Sequence, residues 1–482
     1  MAAEHYLAVD LGAGSGRVIV GRFDGQRVEI EEVHRFANPG VRTLDHLHWD
    51  VLNLFNEIKD GVRKAADRRP VSLGVDTWGV DYALLDSAGE LIGNPYHYRD
   101  SRTDSMMERV FEIAPREEVF EHTGLQFMEL NTLYQLYSMK GSPALDSART
   151  LLMMPDLFHY WFTGEKSCEF TDASTTQFYD PRKKDWARGL LSKLGLPTDI
   201  LLDVIQPGTK VGDVRADVAQ ECGVQGMSVV APAGHDTGSA VAAVPAEGGN
   251  WAYLSSGTWS LIGVETPDPF VTDTALDRNY TNEGGAWGTT RLLKNVSGMW
   301  LLEECRREWA RSGNNLAYDE LIAQATAAPA FRSVIDVDDA GFTAPGGMPE
   351  RIAKHCERRG EPRPETPGQY ARAIFEGLAI RYRRSLGDLA DITGSGVETL
   401  HIVGGGSRNE LLSQYAADAC GVPVVAGPVE ATAVGSVLLQ VEAAGRIKGK
   451  DELREVVRRS FQPKRYEPRS GDAWIEAASR IG

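Results

Sequence analysis

The chain has 482 residues, 42 % of them hydrophobic and 25 % charged, with a formal net charge of −17. That length exceeds one ordinary core and points to two large domains or more. The acidic balance argues against non-specific nucleic-acid binding and against docking on anionic membrane, so its plain meaning is solubility.

Five widely spaced cysteines without a Cys-x-x-Cys pair exclude a zinc ribbon or a thioredoxin-type site and suit reduced, buried thiols. No basic segment followed by an apolar core opens the chain, and no apolar run reaches membrane-spanning length. The expected location is the cytoplasm, with no membrane or nucleic-acid partner.

In chain order, residues 6–9 read as a buried strand entering Asp10. Gly12, Gly14 and Gly16 make a tight turn, and residues 17–23 read as a second strand. Glycines let backbone N–H groups approach an anion, and successive N–H groups form an anion-binding nest. Asp10, at the strand end, suits a metal ion that accompanies phosphate. An ordinary hairpin turn is the plain alternative. A dinucleotide fingerprint would need a helix after the glycines, and a Walker A loop is absent, since Gly449-Lys450 is followed by Asp451.

Residues 71–86 read as strand, turn, strand. The turn Asp76-Thr77-Trp78-Gly79-Val80-Asp81 offers an aromatic face, bare backbone and carboxylates, which suits a polyol; a core tryptophan beside a turn is the alternative. Tyr98-Arg99-Asp100-Ser101-Arg102 is either a solvated loop or an ion pair bracing the site. Residues 129–162 carry apolar positions at mixed helical spacing, and 226–233 read as a buried strand.

Gly234-His235-Asp236-Thr237 follows that strand, where α/β sheets present their ligands. Asp236 is the candidate catalytic base, able to accept the proton of an attacking hydroxyl; capping a helix over 237–244 is the competing role. Residues 251–264 repeat the strand-turn-strand design around Gly257 and Thr258, which suggests two similarly built domains facing one nucleotide. Residues 368–392 have the 3–4 spacing of a long amphipathic helix. A strand at 400–403 leads into Gly404-Gly405-Gly406-Ser407-Arg408-Asn409 and a helix over 410–420. That turn exposes backbone N–H groups and a flat surface for a purine. Residues 431–445 read as a small-residue helix packed closely on a neighbour.

Together these motifs resemble the FGGY family of carbohydrate kinases. The likeness rests on Asp10 to Arg17, Asp100-Ser101-Arg102, Met154-Pro155-Asp156, Thr163-Gly164-Glu165, Thr171-Asp172-Ala173-Ser174, Gly234-His235-Asp236, Ser256-Gly257-Thr258 and Gly404 to Asn409. Longer strings, such as Asn131-Thr132-Leu133-Tyr134-Gln135-Leu136 and Thr281-Asn282-Glu283-Gly284-Gly285, are similar to the members that act on L-rhamnulose.

The resemblance implies an α/β fold of two actin-like (ribonuclease H-like) ATPase domains with a central cleft, over 1–244 and 245–482. It implies ATP and Mg²⁺, and transfer of phosphate to O1 of L-rhamnulose. Another ketose such as fuculose or xylulose, or a nucleotide-driven actin-like binding protein, remains as an alternative. By position, Ala13, Gly14, Ser15, Gly16 and Arg17 would line the phosphate turn, Asp10 would stand near Mg²⁺, and Thr258 would contact phosphates. Gly404, Gly405 and Asn409 would border adenine. Trp78, Gly79, His235, Asp236, Thr237 and Asn295 would hold the sugar, with Asp236 as base. Glu303 stands where related members can carry a glutamine bordering the nucleotide; a carboxylate there would repel phosphate unless turned away or metal-bridged. The expected assembly is a monomer or homodimer.

Overall fold

The computed structural model describes residues 3–342, 346–469 and 471–481. The chain forms two compact units. The first comprises 1–245, 265–292 and 431–461; the second comprises 246–264, 293–430 and 462–482. The units therefore interleave along the chain, where the sequence reading expects a single division at 244/245.

The first unit is built on a six-stranded sheet in the order Thr209–Asp213, Ser228–Ala231, Ser72–Thr77, Glu4–Leu11, Ser15–Phe23, Val28–Ala37. Its three central strands, Ser228–Ala231, Ser72–Thr77 and Glu4–Leu11, run parallel, and the remaining pairings are antiparallel. Alternation along these strands divides the two faces. Leu7, Val9, Val18, Val20, Leu73 and Val75 share one core with Leu54, Ile58 and Val62 of the helix Val51–Ala65 and with Leu157, Phe158 and Phe162 of Met154–Thr163.

Gly21 and Gly74 fall on the other phase, and against them lies the helix Ala431–Ala443. A Cβ on Gly21 would meet Val437 at 2.5 Å, and one on Gly74 would meet Gln440 at 3.0 Å. Ten of that helix's residues are buried. A helix so apolar all round needs cover on every side, which is why a segment so late in the chain joins the first unit.

The second unit holds strands in the order Trp259–Thr266, Trp251–Ser256, Thr399–Val403, Val424–Ala426, Lys464–Tyr466. Trp251–Ser256 pairs antiparallel with Trp259–Thr266 and parallel with Thr399–Val403. In the first unit Glu4–Leu11 has the same two relations, to Ser15–Phe23 and Ser72–Thr77. The expected repetition of design thus extends from the glycine corners to the sheet order. The long helix is found at Pro367–Thr393, entered through a Thr366 cap and Pro367.

Two local readings differ. Residues 129–162 form the helices Thr132–Ser138, Pro143–Ser147 and Met154–Thr163, interrupted by the strand Thr150–Met153. Gly141-Ser142-Pro143 stops the first helix, and the apolar run 151–154 satisfies either periodicity. Tyr82–Leu85 pairs with that strand, outside the six-stranded sheet. Among the described residues the five cysteines are free, and no helix is long and apolar enough to cross a membrane.

Candidate active site

Parallel pairing in the first unit brings strand ends together. Asp10 stands in register with Asp76, and Thr77 bridges to His235, its N–H donating to the Gly234 carbonyl at 2.8 Å. Asp76 is fully buried, and no hydrogen bond reaches either of its carboxylate oxygens. Burial first, then the charges of Asp10 and Asp236, push its carboxyl well above the usual range, against the pull of Ser436 and Arg17. Asp10 is ion-paired with Arg17, its partner across the hairpin.

The hairpin turn is held from behind. Gly12 N–H donates to the Ser15 carbonyl at 2.9 Å, and Asn38 donates through its side chain to Gly12 and through its backbone to Gly14. Gly14 is open, whereas a Cβ on Gly16 would press to 2.3 Å from the Phe36 ring. The amides of Ala13 and Gly14 donate to no group among the described residues. These two N–H groups are the ones left for an anion, fewer than the full stretch 13–17.

Asp236 opens the helix Asp236–Ala242, with His235 at the cap position, so the competing capping role falls away. The Thr237 hydroxyl donates to its Oδ1 at 2.9 Å, and His235 Nε2 stands 3.5 Å from the same oxygen. No donor among the described residues reaches Oδ2, and the side chain is 34 % exposed. One lone-pair face of the carboxylate is thus occupied and the other is available.

His235 is held on every side. Its N–H donates to Thr171 Oγ1 at 3.0 Å, while Nδ1 lies 3.1 Å from an Arg291 guanidinium nitrogen and 3.3 Å from Glu283 Oε2. Burial works against ionisation of Glu283, yet His235 and Arg291 outweigh it and hold that carboxyl below the usual range.

Beneath the loop, Glu169 accepts from the Gly234 N–H at 2.8 Å and caps the helix Phe170–Ala173. Burial lifts its carboxyl to about 6 despite four hydrogen bonds. Asp156 and Asp172 are likewise buried and raised by burial.

Trp78 is only 7 % exposed; its indole N–H donates to Asp81 at 2.9 Å and its ring lies 4.1 Å from that of Trp49. The side chain is committed to the core, which corrects the expectation of an open aromatic face. Gly79 is cramped, since a Cβ there would meet Thr175 at 2.9 Å. The Asp100 segment is a brace and not a solvated loop. Asp100 accepts from the Leu47 N–H at 2.6 Å, and Arg102 donates to the Gln135 side chain at 2.7 Å.

In the second unit, Thr258 is exposed at the turn between its two strands. Trp300 N–H donates to the Thr258 carbonyl at 3.2 Å, and a Cβ on Gly298 would lie 2.7 Å from that oxygen. Glu303, in the first turn of Trp300–Arg311, is ion-paired with Arg306 at 2.9 Å, so its charge is balanced locally. Gly404 has φ +83°, and Gly406 leaves no room for a Cβ beside Ser256, while Gly405 faces open space. Asn409 caps Glu410–Cys420 through Oδ1 and donates to the Tyr318 hydroxyl at 3.2 Å. With 1 % exposure its side chain serves the turn and is not offered to a ligand. Asn295 is half-buried in the strand Thr290–Ser297.

Glu283 and Arg291 carry no assigned role in the sequence reading, and Asp76 enters it only as a carboxylate of the turn suited to a polyol. The signal available was a charged residue inside a strand pattern of small and apolar neighbours, since a buried charge is retained only with a partner.

Models of the FGGY family of carbohydrate kinases match this chain twice, the N-terminal domain over residues 5–243 and the C-terminal domain over 252–444. A rhamnulokinase of Bacteroides thetaiotaomicron is 44 % identical over 478 residues, covering 98 % of each chain. A rhamnulokinase of Pectobacterium atrosepticum is 43 % identical over 476 residues, covering 98 % of this chain and 94 % of the relative. Among solved structures, a ligand-bound xylulose kinase of Lactobacillus acidophilus shares the fold, with a TM-score of 0.83 at 15 % identity over 99 % of this chain and 96 % of that one. From both domain matches and the near-complete span of its relatives, this chain belongs to the FGGY family of carbohydrate kinases.

Proposed function

We propose that the protein phosphorylates L-rhamnulose at O1, using ATP. The identity to rhamnulokinases along almost the whole chain supports the substrate. The observation that carries the chemistry is the Asp236 carboxylate, whose Oδ1 faces Thr237 and His235 and whose Oδ2 is open. In this reading Oδ2 takes the proton of the O1 hydroxyl as O1 bonds to the terminal phosphorus of ATP and ADP leaves. In the first unit Gly79, His235 and Thr237 hold the ketose. There the amides of Ala13 and Gly14, with Arg17, receive phosphate. The backbone of Gly404 and Gly405 borders the adenine.

Mg²⁺ fits the first unit's strand ends. Asp10 and Asp76 would hold it, since two buried carboxylate oxygens of Asp76 lack a partner. Among the described residues no group of three His, Cys, Asp or Glu could hold a metal ion. Mg²⁺ needs no more than one or two carboxylates together with phosphates and water. When bound it neutralises phosphate charge.

ADP release across a panel of L-rhamnulose, L-fuculose and D-xylulose tests the reading. L-Rhamnulose should be strongly preferred, and Asp236→Asn should lower kcat by about 10²–10⁴-fold while ATP binding persists. Preference for another ketose refutes the substrate, and wild-type turnover by the variant refutes the base.

A further inference from the structure

We infer that Glu283 and Arg291 are positioning residues for the phosphoryl transfer: they hold His235 so that a proton always stands on Nε2, against Asp236 Oδ1. The inference rests on Asp236 being the base. Arg291 is fully buried and the Glu283 side chain is 6 % exposed, with 3.3 Å between their charged atoms. A second bond, from Arg291 Nε to the Gly284 carbonyl at 2.7 Å, fixes the guanidinium. Two charges withdrawn this far from water are no cheap source of stability, because an apolar pair of similar volume often serves as well. Their arrangement around one ring nitrogen supplies another reason for the pair.

His235 Nδ1 has a donor and an acceptor before it. Arg291 has only protons to offer, 3.1 Å away, and needs a lone pair on Nδ1. Glu283 Oε2, 3.3 Å away, has only lone pairs to offer and accepts no hydrogen bond as the ring stands. A neutral ring facing Arg291 therefore carries its one proton on Nε2. An imidazolium donates from Nδ1 to Glu283 and again carries a proton on Nε2.

The remaining tautomer would donate from Nδ1 to Glu283 Oε2, but it would set that proton against the Arg291 guanidinium and aim a lone pair at the Asp236 carboxylate, 3.5 Å from Nε2. In both accepted states Oδ1 is engaged by the ring and by Thr237, and Oδ2 stays turned to the substrate. Glu283 and Arg291 touch no reacting atom in this scheme; they act through His235.

A kinetic double-mutant cycle separates this from a merely structural role. Glu283→Gln should lower kcat about tenfold or more, with the sugar KM changed by less than about threefold. In a His235→Gln background the same substitution should cost less than about twofold. Arg291→Lys, which keeps a donor, should retain more activity than Arg291→Met, and it repeats the cycle should Glu283→Gln not fold. Equal losses in both backgrounds, or a change confined to KM, would overturn the inference. Wild-type turnover by Asp236→Asn would instead remove the base itself, so the two failures are distinguishable.

Discussion

Replacing Gly435 by alanine sets two effects of opposite sign against each other. Gly435 lies inside the helix Ala431–Ala443, where alanine is favoured over glycine by about 1 kcal/mol. A Cβ at this position, however, would lie 1.8 Å from the Ser239 carbonyl oxygen and 2.7 Å from its carbon. Ordinary contact begins at 3.4 Å, so the two helices must part by about 1.6 Å. The obstacle is backbone within Asp236–Ala242 and has no rotamer to change.

Overpacking of this kind costs about 1–3 kcal/mol, occasionally more. The shift would also stretch the bonds from Gln440 Nε2 to the Leu7 carbonyl and from Ser72 to Gln440, 2.9 and 2.7 Å long, at about 1 kcal/mol each. The net expectation is destabilisation of at least about 2 kcal/mol, and reduced kcat because the displaced helix begins at Asp236. Gly387 is the control. It is an exposed position in Pro367–Thr393 with nothing within 4 Å of a Cβ, so Gly387→Ala should stabilise by about 0.5–1 kcal/mol. Urea titration of the three proteins, followed by circular dichroism, reads both. An unchanged or raised midpoint for Gly435→Ala would refute the reasoning.

Two further outcomes concern buried polar groups. Gln440→Leu leaves the Ser72 hydroxyl and the Leu7 carbonyl with a lost partner, and should cost about 2–4 kcal/mol in the same titration; a cost below about 1 kcal/mol would mean water replaces the amide. Asp81 is fully buried, and burial lifts its carboxyl to about 6 although Trp49, Gln135 and Trp78 all donate to it. A carboxyl raised in the folded state favours folding below its unfolded value, near 3.9, and loses that contribution as pH rises through about 6. The loss is about 3 kcal/mol. Asp81→Asn cannot ionise, so the stability gap between wild type and variant should narrow by up to about 3 kcal/mol from pH 4 to pH 7. A gap constant with pH would show that Asp81 does not titrate in this interval.

Much of the fold was legible because its information is local. Glycine corners at 12–16 and 257 and apolar spacing through 368–392 each act over a few residues, and each stands where the pattern puts it. Trp78 was less legible. An aromatic beside a turn suits stacking on a sugar and packing on Trp49 equally, and only the neighbouring ring and Asp81 decide between them. Asn409 is a similar case, since the same amide that suits an adenine edge also caps a helix.

Turn chemistry, strand alternation and helical spacing lie within single segments, and by themselves they determined the two hairpin corners, the principal helices and Asp236 as the candidate base, while the ordered motifs from Asp10 to Asn409 carried the resemblance to the family. Tertiary structure alone decided the rest. The Asp10–Asp76 pairing follows from parallel register, the Glu283–Arg291 cradle from segments about fifty residues beyond His235, and the place of 431–443 from a helix with no polar face. Parallel pairing and buried charge depend on which distant segments meet, and no short-range pattern encodes that meeting.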